Sequence, residues 1–404
     1  MKILMVNKFL YMRGGAETYV WKIGEKLKEQ GHEVQYYGTK DPANIMKNQY
    51  GIYMEAKDFR AKSIKNLTYP FSIIWSRQAY RQMQQLIRRF KPDIIHLNNI
   101  NFHLTPSIIE AAAREGVTIV QTVHDAQMVC PSHMMMDLKK GIPCQECLSG
   151  NLWPCTKKKC VHGSGIKSLL ATMEGYLYRR KKTYAKVDRF ICPSHFMEEI
   201  VSHGADIRGR TQVILNYSDL QATSLPDKED YILFFGRFAE EKGILRLLEV
   251  VRKMPEINFV FAGSGPLEEE VKKAARELDN LKFTGFLSGE QLHQTVEKAL
   301  LSLSIPIWPE NCPFSVIESI SCGTPVLGAK IGGIPELIED GKTGVLLENA
   351  DTENICQALR KLKGDKELLK KMAENCIHDS VIPSLDEYVK RVEEVYGELL
   401  AAKK

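Results

Sequence analysis

The chain has 404 residues, 44% of them hydrophobic and 26% charged, and its formal net charge at pH 7 is +5. This length allows two α/β domains with a core each, and the charge is too small to indicate nucleic-acid binding. No apolar run is long enough to cross a bilayer. Met1 to Val6 favours a short strand over a signal peptide, because Asn7 and Lys8 end it. We therefore expect a cytoplasmic protein without a nucleic-acid partner.

The chain opens with a strand, a glycine loop and a helix. Ile3 to Val6 is a short apolar run, the loop contains Gly14 and Gly15, and Ala16 to Gln30 has helical spacing. Two glycines ahead of a helix let the backbone approach a ligand and aim N–H groups at it. An ordinary tight turn explains the same pair, so the loop alone does not decide between the two.

Basic and aromatic residues alternate from Lys57 to Arg89. This composition is typical of a helical region that rests on an anionic membrane surface. An amphipathic core helix with a solvated basic face explains it equally well. Two interpretations therefore stay open, peripheral association with the inner face of the cell membrane and packing on the core.

A His-Asp pair follows a predicted strand. Val117 to Val123 is an apolar run that leads directly into His124 and Asp125. The carboxyl end of a parallel strand faces the ligand crevice of an open α/β sheet. At that position His124 can hydrogen-bond a sugar hydroxyl or the acceptor, and Asp125 either orients it or caps the next segment.

Five of the ten cysteines lie in an insert that spans residues 130–162. Two closely spaced pairs of thiols suit a structural zinc ion, because each pair can lie on one turn of backbone. The predicted zinc ligands are Cys144, Cys147, Cys155 and Cys160. Cys130 or His162 is a substitute for one of them. An iron–sulfur cluster, or four ordinary reduced cysteines in an irregular loop, are the alternatives.

The sequence after the insert contains a predicted helix and, further on, a predicted domain linker. Ile166 to Lys186 has helical spacing and a basic end, which predicts one long helix. Asn216 to Asp230 is polar and aperiodic, which indicates a linker.

Arg237 and Lys242 follow a strand and precede a helix. Tyr231 to Phe235 is the predicted strand, and Ile244 to Lys253 the predicted helix. Arg237 can bridge two phosphate oxygens, and Lys242 can add a point charge. Phosphate contacts commonly lie between a strand and a helix, although a solvated loop also accommodates two basic residues.

Two glutamates flank a second strand-to-helix turn. Leu300 to Ile307 predicts a buried strand, Glu310 lies in the turn, and a helix that begins near Pro313 contains Glu318. A helix N-terminus favours anions, and carboxylates accept bonds from hydroxyls. The stretch therefore predicts a ligand with phosphates and hydroxyls, such as a nucleotide sugar. A buried strand–helix unit with two solvated glutamates is the alternative.

These motifs stand in the order found in family-four retaining glycosyltransferases, which the chain resembles over nearly its whole length. The matching stretches are Gly-Gly-Ala-Glu-Thr at 14–18, the histidine at 124, Gly-Arg-x4-Lys-Gly at 236–243 and Glu-x7-Glu at 310–318. The resemblance implies an α/β fold of GT-B architecture, with two facing Rossmann-like domains and a cleft between them. The implied domains are 1–216 for the acceptor, including the cysteine insert, and 217–384 for the donor. Residues 385–404 are expected to form a helix that crosses back to the first domain.

The resemblance also assigns roles to single residues. The implied donor-binding residues are Gly14, Gly15, Arg237, Lys242, Gly285, Phe286, Glu310, Pro313, Phe314, Ser315 and Glu318. The implied catalytic residues are His124, Arg237, Lys242 and Glu310. In these roles Arg237 and Lys242 neutralise the leaving diphosphate, Glu318 holds the ribose, and Glu310 holds the donor sugar. Backbone groups around Gly285 contact the base.

No Asp-x-Asp motif occurs in the sequence, so we expect neither a catalytic divalent metal nor any other cofactor for catalysis. No carboxylate stands out as a nucleophile. The resemblance implies a front-face displacement with retention at the anomeric carbon, in which the leaving phosphate takes the acceptor proton.

The expected donor is a UDP- or GDP-type sugar, and the expected acceptor is a glycan or a polyprenyl-linked sugar in bacterial surface polysaccharide synthesis. A small soluble acceptor is the first alternative. A non-catalytic nucleotide-sugar-binding module is the second, although such a module needs no complete set of catalytic groups. A sugar phosphorylase would need a lysine motif for its pyridoxal cofactor, and a nucleotide-sugar epimerase would need no acceptor surface.

Overall fold

The computed structural model describes residues 1–55, 69–222, 224–225, 227–378 and 381–403. The chain divides into two compact units, Met1–Ile214 with Asp386–Lys404, and Leu215–Leu385. The first part of the predicted basic and aromatic segment, residues 57–68, lies outside the described residues.

The first unit is built on a six-stranded parallel sheet in the order β2-β1-β3-β4-β7-β8. Its strands are β1 (Lys2–Val6), β2 (Glu33–Tyr37), β3 (Ile94–Leu97), β4 (Thr118–Thr122), β7 (Arg189–Cys192) and β8 (Thr211–Val213). The insert adds a two-stranded antiparallel pair, β5 (Met136–Asp137) and β6 (Ile142–Pro143). Every residue of β3 and β4 is buried, as expected for central parallel strands covered on both faces.

Seven helices of the first unit are described before its last strand. They are α1 (Gly15–Glu29), α2 (Tyr69–Ile74), α3 (Arg77–Phe90), α4 (Ser107–Arg114), α5 (Trp153–Lys158), α6 (Gly165–Arg180) and α7 (His195–Ser202). Three of them begin at a serine whose hydroxyl accepts a bond from a backbone N–H three residues later, which satisfies a free donor of the first turn. These serines are Ser76, Ser164 and Ser194.

The predicted helix from Ile166 to Lys186 is too long at its carboxyl end. α6 ends at Arg180, Lys182 adopts a left-handed backbone with φ of 50°, and a short 3-10 helix follows at Tyr184–Lys186. The buried Thr183 donates to Glu110 Oε1 at 2.5 Å, and Lys186 pairs with the same carboxylate. This tertiary contact on α4 overrides the helical pattern of the sequence.

The second unit has a six-stranded parallel sheet in the order β11-β10-β9-β12-β13-β14. Its strands are β9 (Glu229–Arg237), β10 (Phe259–Ser264), β11 (Leu281–Gly285), β12 (Ala299–Ser304), β13 (Val326–Ala329) and β14 (Gly344–Leu347). Its helices are α8 (Ile244–Lys253), α9 (Glu268–Glu277), α10 (Gly289–Glu297), α11 (Phe314–Ser321), α12 (Thr352–Gly364) and α13 (Lys366–His378). Ile232 and Phe234 of β9 belong to one buried cluster, and Leu233 and Phe235 to another. The alternation shows that apolar layers cover both faces of this sheet.

The last helix, α14 (Leu385–Ala402), packs in the first unit through buried polar contacts. Tyr396 OH lies 2.5 Å from His96 Nδ1, and His96 Nε2 lies 2.7 Å from Thr122 Oγ1. Tyr19 OH lies 3.0 Å from Thr122 Oγ1 and 2.9 Å from Tyr388 OH. Burial lowers the pKa of His96 to about 3, with a smaller contribution from the nearby His124, so the imidazole is neutral at pH 7.

Among the described residues, no helix combines the length and the apolarity that crossing a membrane requires.

Candidate active site

A small hollow opens at the carboxyl ends of β9 and β12 in the second unit. It holds about 30 Å³, and its lining includes polar groups that the sequence had singled out. The lining residues are Phe234, Phe235, Gly236, Lys242, Leu303, Ser304, Ile305, Pro306, Glu310 and Ser315. Carboxyl ends of parallel strands are where open α/β sheets bind ligands.

Glu310 is the polar centre of this hollow. Its Oε1 lies 2.7 Å from Lys242 Nζ and accepts a hydrogen bond from Trp308 Nε1 at 2.8 Å. The Glu310 side chain is 13% exposed and that of Lys242 28%, so the ion pair is partly shielded from water. The structure thus brings together a predicted phosphate-binding cation and a predicted sugar-binding carboxylate.

Two glycines hold the backbone of Glu310. Gly333 N donates to Glu310 O at 2.8 Å. A Cβ on Gly332 would lie 2.2 Å from Glu310 O and 2.7 Å from Glu310 N, and Gly332 has a φ of 63°. Only glycine fits here without moving the carboxylate, so Gly332 is a positioning residue for Glu310.

Lys242 is placed by a tight turn. It ends the short 3-10 helix Glu240–Lys242, and Gly243 follows with a φ of 77°. A Cβ on Gly243 would lie 2.1 Å from Ile305 O, so the turn packs directly on the end of β12. This contact brings Lys242 to the mouth of the hollow.

The side chain of Arg237 is more exposed to solvent than that of Lys242. It ends β9, its side chain is 64% exposed, and Nη1 lies 3.8 Å from Glu241 Oε1. Arg237 is not among the described residues that line the hollow. Its guanidinium is therefore free to turn toward a ligand outside it.

The helix α11 begins beside the hollow. Val316, Ile317 and Ile320 face the core, while Phe314, Ser315 and Glu318 are only half-buried on the other side. Ser315 lines the hollow, and Glu318 lies one turn further along the same face. Pro313 caps the helix with extended backbone, as the sequence predicts.

The predicted base contact lies at the end of β11. Gly285 has a φ of 75°, and a Cβ there would meet only the Phe283 ring at 4.0 Å. The following Phe286 is 74% exposed, which is unusual for a large apolar side chain. An exposed aromatic ring after a strand end is suited to stacking on a planar ligand.

His124 is the central polar residue at the corresponding edge of the first sheet. Its Nε2 donates to Asn98 Oδ1 at 2.9 Å, and its ring meets Tyr19 edge-on at a centroid distance of 5.0 Å. Asn98 Nδ2 donates to Val6 O, which fixes the amide orientation. The proton is thus on Nε2, and Nδ1 keeps a lone pair that can accept a hydrogen bond. Burial lowers the pKa of His124 to about 4, an effect that Asp125 opposes, so the ring is neutral at pH 7.

Asp125 belongs to a second polar group. Asn101 Nδ2 donates to Asp125 Oδ2 at 3.1 Å and lies 2.8 Å from His133 Nδ1. His133 Nδ1 lies 3.6 Å from Asp125 Oδ2. Burial opposes ionisation of this carboxyl, but His133 and Lys8 outweigh burial and hold its pKa at about 2. Asp125 is therefore an ionised partner of His133.

Gly14 and Gly15 occupy the start of α1. Gly14 has extended backbone with φ of −173°, and a Cβ there would meet only Glu17 Oε2, at an ordinary 3.6 Å. The protein itself does not require glycine at position 14. A requirement for glycine there would arise only from a ligand that approaches the backbone.

The cysteines of the insert come close together in the first unit. Cys130 and the four predicted zinc ligands line one cavity, whereas His162 is exposed and is not among its described lining residues. This cavity is a second candidate site, distinct from the polar groups around His124.

Sequence reasoning missed three contributors to these sites. No sequence motif marks Trp308, Asn101 or Gly332. Each acts by contacting another residue of a candidate site, and these contacts depend on the fold. Only Gly332 left a signal in the sequence, because it forms a Gly-Gly pair with Gly333 shortly after β13.

Comparison with known proteins identifies two matching family models. Residues 13–222, just over half of the chain, match the model described as Glycosyltransferase Family 4, and residues 218–379 match Glycosyl transferases group 1.

Individual relatives agree with these models. An uncharacterized glycosyltransferase of Methanocaldococcus jannaschii is 25% identical over 404 residues, which cover 99% of each chain. Sulfoquinovosyl transferase SQD2 of Arabidopsis thaliana is 34% identical over 139 residues, but these make up 34% of this chain and only 27% of that protein.

Among solved structures, Anabaena HepE in complex with UDP superposes with a TM-score of 0.69 and 16% identity. The match covers 98% of this chain and 100% of that one. At this identity the match shows the fold alone. It confirms the predicted fold class, with two parallel α/β sheets of six strands each, as in GT-B proteins.

Proposed function

The chain belongs to glycosyltransferase family 4, and we propose that it moves a sugar from a nucleoside diphosphate sugar of UDP or GDP type to a glycan or polyprenyl-linked acceptor, with retention of configuration. One observation carries the proposal most directly. Lys242 and Glu310, predicted to hold the diphosphate and the donor sugar, meet at 2.7 Å at the ends of two neighbouring strands. The structure of Anabaena HepE with UDP supports a uridine nucleotide as one donor type.

The diphosphate is expected to bind at Lys242 and Arg237. Without ligand, Glu310 partly neutralises Lys242, so the donor shares this cation with the carboxylate. Arg237 is exposed, and its proposed role is to turn toward the part of the diphosphate that lies outside the hollow and to add a second, bidentate contact. Two cations stabilise the negative charge that develops on the leaving diphosphate, and no metal ion enters the proposed step.

Hydroxyl groups of the donor are expected to bind the carboxylates on either side of the α11 N-terminus. Glu310 is oriented by Trp308 and by the glycine pair, so its second oxygen can accept bonds from the sugar. Glu318 lies on the half-buried face of α11, and its proposed role is to accept hydrogen bonds from the ribose.

The proposed chemistry is a front-face displacement at the anomeric carbon. The bond between that carbon and the diphosphate oxygen breaks with its electron pair going to the diphosphate. The acceptor oxygen forms the new bond on the same face, and its proton passes to a leaving phosphate oxygen. His124 is neutral and offers Nδ1 as a hydrogen-bond acceptor, so its proposed role is to orient a sugar hydroxyl.

The acceptor has two candidates. Exposed Arg77 and Arg81 on α3 favour an anionic surface and thus a polyprenyl-linked acceptor made at a membrane. A small soluble acceptor is the other candidate. Trp75 favours it, because this aromatic ring stacks on Tyr80 and Tyr178 and so packs on the protein itself.

The test of this proposal combines donor binding and transfer. Thermal-shift measurements with uridine, guanosine and adenosine diphosphates and their sugars identify the base. Lys242→Ala should then lower kcat/KM for the preferred donor about 10- to 100-fold, because it removes a charge-assisted contact of roughly 1.5–3 kcal/mol. The matched control is Lys253→Ala on the exposed side of α8, which should leave the rate unchanged. Full activity of Lys242→Ala at limiting donor would show that the assignment is wrong.

A further inference from the structure

Five thiols of the first unit line one cavity of about 10 Å³, room for about one water-sized sphere. They are Cys130, Cys144, Cys147, Cys155 and Cys160. Half of the ten cysteines of the chain thus meet at one point. The proposed transfer reaction does not use this cluster.

The thiols come from different parts of the fold. Cys130 lies in the loop after β4 and belongs to the main apolar core of the first unit. Cys147 lies in the 3-10 helix Glu146–Ser149, and Cys155 in α5. Cys130 is the first residue of the insert and packs in the main core, so a bond that joins it to the other thiols would fix the rest of the insert to the body of the unit.

The insert is hydrogen-bonded to α6, for example between the hydroxyls of Thr156 and Thr172, but it has only a small apolar cluster of its own. Its own apolar cluster consists of Leu152 and three of the cysteines, with Val161 and Tyr176 packed against it. Four non-glycine residues of the region have positive φ, which is unfavourable for side chains with a Cβ. They are His133, Met135, Lys159 and His162. Bonds from thiolates to a metal would add to the order that these contacts provide.

A cation stands beside the cluster. Lys158 Nζ lies 3.6 Å from Cys144 Sγ, and it also pairs with Asp137 at 3.0 Å and Glu146 at 2.5 Å. Zn²⁺ with four thiolates carries a net charge of −2, and an ammonium group that donates to a ligand sulfur stabilises that charge.

We propose that four of these five thiolates bind one zinc ion, with Cys130 among the four, and that the ion fixes the insert to the loop that carries His124. Four protein ligands leave no open position, so the site is structural. Within the described ranges, no three or more His, Cys, Asp and Glu side chains already form a set that could hold a metal. Binding therefore draws the thiols inward, as expected for a site whose metal completes its folding.

The test is metal analysis of the full chain purified without chelator, together with single Cys→Ser variants at the five positions. We expect about one zinc per chain in the parent protein. Four of the five variants should lose it, Cys130→Ser among them. Matched controls are Cys192→Ser, a buried thiol on β7, and His162→Ala, and both should keep the zinc.

Cobalt substitution of the parent protein keeps the proposal testable if Cys130→Ser does not fold. Thiolate charge-transfer bands together with tetrahedral d–d bands support it, and octahedral spectra contradict it. A metal-free parent, a brown protein with iron and sulfide, a disulfide within the cluster, or full zinc content in Cys130→Ser each overturn it. These readouts do not involve sugar transfer, so they stand apart from the proposed function.

Discussion

At the scale of single residues, Glu310 is the residue of the second unit whose contacts link the predicted site residues. Its carboxylate forms an ion pair with Lys242 and accepts a hydrogen bond from Trp308. Its backbone packs closely on Gly332 and accepts a hydrogen bond from Gly333. The sequence indicates Glu310 and Lys242 through their motifs. It does not indicate that they pair, because the pairing depends on the adjacency of β9 and β12 in the sheet.

Gly332→Ala should displace Glu310 and lower transfer activity at least about tenfold, because a Cβ would overlap the Glu310 backbone and the residue has positive φ. Initial rates at limiting donor measure the effect, and circular dichroism checks the fold. Gly364→Ala is the control, since a Cβ there meets nothing within 4 Å. Equal rates for the two variants would show that Gly332 does not position the carboxylate.

Glu174 should make stability depend on pH. It lies in α6, its Oε1 has no hydrogen-bond partner in the described part of the chain, and burial raises its pKa from 4.5 to about 8. Between these values the unfolded chain has lost a proton that the folded chain keeps. This group therefore lowers the free energy of unfolding as pH rises, by at most about 1.4 kcal/mol per pH unit.

Glu174→Gln should remove this slope. Urea unfolding at pH 5 and pH 8 should show the variant gaining stability relative to the parent as pH rises. The exposed Glu29→Gln serves as control and should keep the slope of the parent. Identical slopes for Glu174→Gln and the parent would contradict the buried neutral state of Glu174.

At the scale of elements, periodicity predicts the regular parts of the chain well. The helix Ile244–Lys253 has the predicted bounds, because its apolar stripe faces the core without competing contacts. The sequence pattern assigns no helix or strand to the cysteine insert, but the structure places α5 and the pair β5–β6 there. These elements are too short to produce a recognisable hydrophobic periodicity in the sequence. Tertiary contacts at Glu110 ended α6 earlier than its sequence indicates.

The amphipathic pattern of α3 fits both packing on the core and binding to a membrane surface. Met83, Leu86 and Phe90 are buried on one face, while Arg77 and Arg81 are exposed on another. The buried face agrees with the core interpretation of this part of the segment, and the basic face leaves membrane binding as a proposal.

Arg77→Glu combined with Arg81→Glu should release the protein from anionic vesicles if the basic face binds them. Each basic residue near such a surface contributes about 1 kcal/mol, so reversal of two should weaken binding by at least about tenfold. Flotation with phosphatidylglycerol vesicles at low salt measures it, with Lys253→Glu as control. An unbound parent protein would favour the soluble acceptor.

At the scale of the whole molecule, the two units repeat one architecture, a six-stranded parallel sheet with its polar candidates at strand ends. Strand and helix order made this architecture predictable, since alternating strands and helices form parallel sheets. The helix α14 packs in the first unit through polar contacts of Tyr388 with Tyr19 and of Tyr396 with His96. No sequence pattern predicts these contacts. The donor sugar and the acceptor depend on pocket shape and are not encoded in any motif.

The most direct test of retaining transfer is proton NMR of the reaction itself. UDP-glucose, UDP-N-acetylglucosamine and GDP-mannose are each incubated with the protein and a polyprenyl diphosphate-linked N-acetylglucosamine, or with soluble monosaccharide acceptors. We predict that one α-linked donor is consumed and that the new anomeric proton shows the α configuration. A β-linked product would contradict retention. Donor binding without any transfer to either acceptor class would contradict the proposed enzyme and favour a sugar-nucleotide-binding module.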